Sequence, residues 1–449
     1  MKKLIFLLLP LSMLGIFSCT DVGEPVMVPQ ESASAENSKY RSDAELIDIA
    51  VQGYELVHDK ALDYSNSRGL NSVSITPIVS HNSRGVSDTL IQVVNYGEGK
   101  GFALIGALKS SDDLLAVIES GDYAPGETDQ VEGFDNFIQR AQARISARPN
   151  IGDSIPYKNF ETKVERKYGK IYTYGPHIAV QWNQHEYAGA YCPNGLSGCV
   201  PLSATMALTY LEVPSSMTLT FPERDVNSIN LDWQGMRSHF KNHSEIWPDE
   251  WYGITLPDAE DCPAGDYNHS NIGRVTRQIG YAIKANYAPG ATSSFNQKAV
   301  NYLKTLIPNL RVSTYYSPSA NLINGLKNGV ALTEGASLDP AGPTPSGLIE
   351  LVGHSWLTDG VMETYMIEDT YRNYRPEVLE GDWRLIKSEF IKLNDYLHFN
   401  WGAGGKYNGY FLKRCYDPNE AYENDPGFSN PETDYNFEND VVFRLISLH

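Results

Sequence analysis

Ser197-Gly198-Cys199-Val200-Pro201-Leu202-Ser203-Ala204-Thr205-Met206-Ala207-Leu208-Thr209-Tyr210-Leu211 is apolar on nearly every face of a helix running from about Cys199 to Leu211. Such a helix is expected in the middle of a core. Pro201 is tolerated because the first turn has no use for its missing N–H. A cysteine at the first position meets unpaired N–H groups and the positive end of the helix dipole, which lower a thiol from ~8.5 towards neutrality. A cysteine on an apolar helix is more often plain core, so the reading needs a partner. A thiolate nucleophile requires an imidazole that holds the ion pair and later protonates the leaving group. Among ten histidines, His354 fits best, in Leu351-Val352-Gly353-His354-Ser355-Trp356-Leu357, a buried-strand pattern with a glycine beside the imidazole.

Two flanking segments strengthen the pair. Gln181-Trp182-Asn183-Gln184 lies upstream of the cysteine, where a glutamine side chain and the Cys199 N–H can share an oxyanion. His398-Phe399-Asn400-Trp401-Gly402-Ala403-Gly404-Gly405 lies beyond the histidine, where an Asn-Trp can orient and cover an imidazole. The order Gln, Cys, His, Asn-Trp resembles papain-like cysteine peptidases. More narrowly it resembles the streptopain family of secreted bacterial enzymes, through Trp182-Asn183-Gln184, Gly198-Cys199-Val200, Gly353-His354 with Asp359-Gly360, and Asn400-Trp401-Gly402. Val93-Val94-Asn95-Tyr96 and Gly101-Phe102-Ala103-Leu104-Ile105 resemble a hairpin of that family's inhibitory prodomain.

The resemblance implies a zymogen whose catalytic domain has a papain-like α+β fold, a helical part plus an antiparallel sheet, preceded by a small α+β prodomain. It implies endopeptidase activity without metal or cofactor, protein or peptide substrates, and the chain's own prodomain as inhibitor. Cys199 would be the nucleophile and His354 the general acid/base. Gln184 would be the oxyanion donor, with Gln181 as the nearby alternative, and Asn400 and Trp401 would support His354. Gly353 would lie along the substrate backbone, and Ser293-Ser294 match a substrate-contact loop, with Ser294 as the contact. Ala403 stands where the family usually has a second tryptophan. Pro201-Leu202-Ser203 replaces a run of small residues, and about Met362 to Asp395 is extra, expected as a surface excursion between two strands.

Lys2 and Lys3 precede an apolar run from Leu4 to Phe17, too short to span a bilayer and typical of a signal peptide over residues 1–18. Ile16-Phe17-Ser18-Cys19 resembles a lipobox, which would lipidate Cys19, export the chain to the cell envelope and restrict membrane contact to an N-terminal anchor. A plain cleaved signal with a chance cysteine is the alternative, and either way the chain is exported, held in the envelope or secreted after processing. Residues 19–38 read as a flexible tether, 39–150 as the prodomain, large enough for a modest core of its own, 151–170 as an activation linker and 171–449 as the catalytic domain. With Cys19 removed, Cys192, Cys199, Cys262 and Cys415 remain, and their pairing is open.

In the first region, helices are expected at Ser42–Leu62, Asp112–Ser120 and Phe134–Arg148, with strands at Ser72–Val79, Leu90–Tyr96 and Phe102–Ile105. In the second, helices are expected at Ile272–Ile283 and Gln297–Leu306 and from an N-cap at Ser319 through Leu326. Strands are expected at Val330–Thr333, Leu351–Leu357, Tyr365–Glu368, Tyr396–Phe399, Tyr410–Lys413 and Val441–Ile446. Ala336–Gly347, rich in glycine and proline, is expected as a flap over the cleft.

Composition is that of a globular protein, with 41% hydrophobic and 20% charged residues, and excludes collagen-like, coiled-coil and wholly disordered chains. A net charge of −19 without a basic run argues against nucleic acid. His239 and His243 lack the carboxylate of a metalloprotease helix, and Asp258-Ala259-Glu260-Asp261 reads as surface charge rather than a Ca²⁺ site; His185, by the family resemblance, would lie on the cysteine's side of the cleft. Two other functions fit the residues less well: a Cys-His acyltransferase or amidase, which shares the thioester, and a non-catalytic peptide- or glycan-binding surface lipoprotein.

Overall fold

A capping box starts the first helix, α1 (Asp43–His58): Ser42 N donates to Glu45 Oε2 at 2.7 Å and Glu45 N to Ser42 Oγ at 3.4 Å. The computed structural model describes residues 39–58, 73–81, 87–97, 99–124, 131–147, 162–239, 268–338, 351–374, 382–416 and 441–448. After α1 come β1 (Ser74–His81), β2 (Ser87–Asn95), β3 (Phe102–Gly106) and β4 (Leu114–Ile118), an antiparallel meander. Gly101 closes the β2–β3 turn at φ +91°, where a Cβ would lie 1.9 Å from Ile118 O. Helix α2 (Glu132–Ala147) ends this region.

β4 corrects the helix expected at Asp112–Ser120. Its Leu-Leu-Ala-Val-Ile is buried at all five positions and hydrogen-bonded along both edges. A continuous apolar run of this length has no period that separates helix from buried strand, and the neighbouring strands decide.

The middle of the chain is mostly helical. β5 (Thr162–Tyr174) leads to α3 (Glu186–Gly189) and α4 (Cys199–Leu211). The β6 (Ser216–Thr218)–β7 (Ser228–Asn230) hairpin, α5 (Trp233–His239) and α6 (Asn268–Ala282) follow. A second hairpin, β8 (Asn286–Ala288) and β9 (Ala291–Ser293), precedes α7 (Asn296–Leu306). α4 is buried almost throughout, as its composition requires, and packs against α6, α7 and the sheet. It stops at Glu212, which takes a left-handed conformation and returns its N–H to Leu208 O at 2.9 Å, with Pro214 beyond.

The rest builds the sheet: β10 (Leu310–Tyr315), helix α8 (Ala320–Leu326), β11 (Val330–Leu338), β12 (Leu351–Asn373), β13 (Trp383–Asn400), β14 (Gly409–Leu412) and β15 (Val441–Leu448). Ser319 caps α8 through its Oγ, as expected. Eleven described strands, all pairing antiparallel, run in the order β1-β2-β3-β4-β14-β13-β12-β11-β15-β10, with β5 on β12. The α+β class follows.

Three boundaries differ from expectation. The N-terminal region has no core of its own: β4 pairs with β14, and Phe102, Phe134 and Phe137 share one apolar cluster with Phe399, Trp401 and Phe411. The stretch from Met362 to Asp395 is not an excursion, because β12 and β13 run on as a paired arm, with Tyr365 stacked on Phe390 at 4.8 Å. Residues 162–170, expected as linker, belong to β5, which pairs with β12 from Val361↔Tyr174 to Arg372↔Thr162. Of the expected flap, residues 336–338 continue β11 and 339–347 lie outside the described residues, as do Cys19, Cys262, His243 and Asp258–Asp261.

Candidate active site

The turn before α4 sets where Cys199 stands. Gly198 has φ +82° and lies on Thr292, whose Cγ2 would be 2.7 Å from a Cβ there. Cys199 is half-buried and no acidic residue occupies the first helical turn, so nothing there opposes the dipole. Ser197 N donates to Gln184 O at 2.8 Å, which fixes the Gln184 backbone beside the nucleophile's turn. Gln181 points elsewhere, its side chain packed over Gly405, where a Cβ would meet its Cγ at 2.9 Å. The upstream segment also meets the glycine loop, through an Asn183–Ala403 bridge and Gly404 N donating to Trp182 O at 3.0 Å. Three of the four sequence motifs are thereby joined.

His354 comes from β12. Strand alternation turns Ser355 towards α4, where its Oγ shares a 2.8 Å hydrogen bond with Ser203 Oγ, one helical turn after Cys199. It turns His354 to the other face, stacked on Trp356 with Nε2 3.1 Å from Trp401 O. A carbonyl only accepts, so Nε2 carries the proton. Burial pulls this imidazole down to about 4, with the Trp401 hydrogen bond opposing, so the ring is neutral at physiological pH. Ser355 also donates to Asn296 Oδ1 at 2.8 Å, which extends the buried chain to α7.

Trp401 is fully buried, and its Nε1 donates to Tyr407 O at 2.9 Å. The Asn400 amide donates to Val180 O at 2.8 Å and its Oδ1 accepts from Gly402 N at 3.2 Å, so both bonds brace the turn and neither reaches His354. Gly353 is exposed, and a Cβ there would meet only Gly335 O, at 3.9 Å. Ser294 Oγ is buried without a hydrogen-bond partner among the described residues. His185 is exposed. Among the described residues no group of three or more His, Cys, Asp or Glu side chains could hold a metal ion, and no helix is long and apolar enough to cross a membrane.

Reading the motifs did not single out a second buried pair. Asp359, fully buried at a bulge in β12, accepts from Ile178 N at 2.9 Å and meets His398 Nδ1 at 2.6 Å. The one local signal was placement, since each residue lies inside a motif read for a neighbour.

The model of the Peptidase C10 family matches residues 181–411, the span holding all of these segments. A fragment of Prevotella intermedia prointerpain A is similar at 16% identity, over 83% of this chain and 98% of that one, with a TM-score of 0.45. The active wild-type interpain A cysteine protease of the same organism is similar at 15% identity, over 61% and 94%, with a TM-score of 0.33. No curated protein matches the chain.

Proposed function

As the chain belongs to the Peptidase C10 family and is thereby a cysteine-type peptidase, we propose that it is an exported endopeptidase made as a zymogen, with Cys199 as nucleophile and His354 as general acid/base. The thiolate attacks the scissile carbonyl carbon, and the oxyanion is held by the Cys199 N–H and the Gln184 side chain. The imidazolium then gives its proton to the leaving amine, and water cleaves the thioester with the imidazole as base. The observation that carries this reading is the bond from Ser197 N to Gln184 O, beside the first turn of a buried helix headed by cysteine.

Latency is part of the proposal. Residues 39–147 supply strands that extend the catalytic sheet at β14, and α2 covers Trp401, whose carbonyl holds the neutral His354. Loss of that region would free the imidazole to pair with the thiolate. Export and lipidation rest on Cys19 and the run before it, and Cys19→Ser should abolish incorporation of labelled fatty acid.

The test is casein hydrolysis by the purified chain, with and without a thiol-alkylating reagent, beside Cys199→Ala. Hydrolysis lost to both treatments is expected. Hydrolysis that survives in Cys199→Ala removes the assignment.

A further inference from the structure

Asn194 lies in the turn that delivers the chain to Cys199, and its amide reaches across to the β8–β9 hairpin. Nδ2 donates to Ala288 O at 2.7 Å, Ala291 O at 3.1 Å and Thr292 Oγ1 at 3.0 Å, two hydrogens shared among three acceptors. Oδ1 accepts from Leu196 N at 3.1 Å. The Thr292 hydroxyl donates to Leu196 O at 2.8 Å, and its methyl lies against Gly198. Two side chains therefore hold both the N–H and the carbonyl of Leu196, and one of them also supports the residue before the nucleophile. From the other side, the same turn is held by Gln184 O.

A turn without regular structure keeps an oxyanion donor in place only when its peptide groups are bonded to something rigid. The Leu196–Gly198 backbone has that support from a hairpin that is distant in sequence. The hairpin leads directly into Ser293-Ser294, where the Ser294 hydroxyl is buried without a described partner. We propose that Asn194 and Thr292 are positioning residues for peptide-bond cleavage, clamping the turn that sets the Cys199 N–H and tying it to the β8–β9 hairpin. The proposal rests on Cys199 being the nucleophile.

The test uses active enzyme prepared from the full chain, a fluorogenic peptide amide, and titration of the reactive thiol, so that kcat is counted per competent Cys199. Thr292→Val keeps the shape and removes the hydroxyl, Thr292→Ser keeps the hydroxyl, and Asn194→Ala removes the whole amide. Displacement of a catalytic donor by a fraction of an ångström is expected to lower kcat per titrated thiol about tenfold in Thr292→Val and Asn194→Ala. KM should stay within about twofold, and Thr292→Ser should recover most of the rate. If Asn194→Ala fails to fold, Thr292→Val decides alone. Unchanged kcat per titrated thiol, whatever the loss in Tm, would mean that the clamp only stabilises the fold and would overturn the proposal. Activity surviving in Cys199→Ala would remove the nucleophile assignment and the clamp's role with it, a result distinguishable from the first.

Discussion

His398 Nε2 lies 3.6 Å from Glu119 Oε2, so a buried imidazole of the catalytic region faces a carboxylate of the N-terminal region. Its other nitrogen is 2.6 Å from Asp359, and the Tyr410 ring packs edge-on at 4.9 Å. Burial alone would strip the proton from His398, but the two carboxylates outweigh it and push the group up to about 10. Burial likewise raises Glu119, and the His398 charge outweighs it, holding the carboxyl below its usual range. Under the latency proposed above, this ion pair parts when the N-terminal region is removed.

The sign of its pH dependence follows from these directions. Glu119 has a folded value below its ordinary 4.5, so its contribution is present above that value and lost as pH falls through the folded one. His398 has a folded value above its ordinary 6.5, so its contribution is complete below 6.5 and lost as pH rises towards about 10. In a Cys199→Ala background, which cannot process itself, Glu119→Gln should lower stability by about 1 kcal/mol between about pH 5 and 8. The difference should vanish in stronger acid. Urea midpoints across pH check this, and a constant difference down to about pH 3 would assign the loss to packing instead of charge.

Cys192 offers a control for the nucleophile. It is a buried thiol that burial pushes up to about 11, so it stays protonated at neutral pH. Cys192→Ala should keep most of the peptidase activity and lose roughly 1 kcal/mol of stability, an ordinary cost for a small buried change. Measured kcat/KM on a peptide amide checks this; equal loss in Cys192→Ala and Cys199→Ala would reassign the nucleophile.

Much of the site was legible because its parts are local. The apolar composition of Cys199–Leu211 fixes a buried helix, and a glycine before the cysteine marks the tight approach to Thr292. Asn400 was legible as a motif but not in its bonding, because Val180 lies 220 residues away. The β4 strand was misread for a related reason: its identity depends on β14, distant in sequence. The arm of β12 and β13 was read as an excursion because the stretch is extra against the family pattern, and only Tyr365–Glu368 within it reads as a strand; the pairing that extends both strands joins residues up to Asn373 and Trp383. Glu119 and His398 carry no local sign of each other.

The strand β5 narrows where activation should cut. α2 is helical through Ala147 and β5 is hydrogen-bonded to β12 from Thr162, so both are ordered elements that a protease would have to unfold. Cleavage is expected between residues 148 and 161, leaving β5 on the arm of the mature enzyme. N-terminal sequencing of the active form checks it. An active form beginning beyond Tyr174 would show that β5 leaves with the N-terminal region.

Gly133 gives the sharpest test of latency, because two effects of one methyl group oppose each other. In an exposed helix interior, Gly→Ala stabilises by about 1 kcal/mol, an upper bound for Gly133, the second residue of α2. In α2, however, a Cβ at Gly133 would stand 2.1 Å from Trp401 Cζ3 and 2.3 Å from its Cε3. The indole cannot retreat: its Nε1 donates to Tyr407 O, the Trp401 backbone N donates to Asn408 Oδ1 at 3.1 Å, and Trp356 and Phe411 pack against the ring. The helix must therefore move, and overpacking of this kind costs about 1–3 kcal/mol, enough to cancel or exceed the helix gain. Since the Trp401 carbonyl anchors the His354 ring in a place where burial keeps it neutral, lifting α2 should let the imidazole out and raise the reactivity of Cys199 in the uncleaved chain. Gly133→Ala should then be alkylated at Cys199 several-fold faster than the wild type at neutral pH, before any processing, with helix content unchanged by circular dichroism. Identical alkylation rates would mean that α2 covers Trp401 without controlling the histidine.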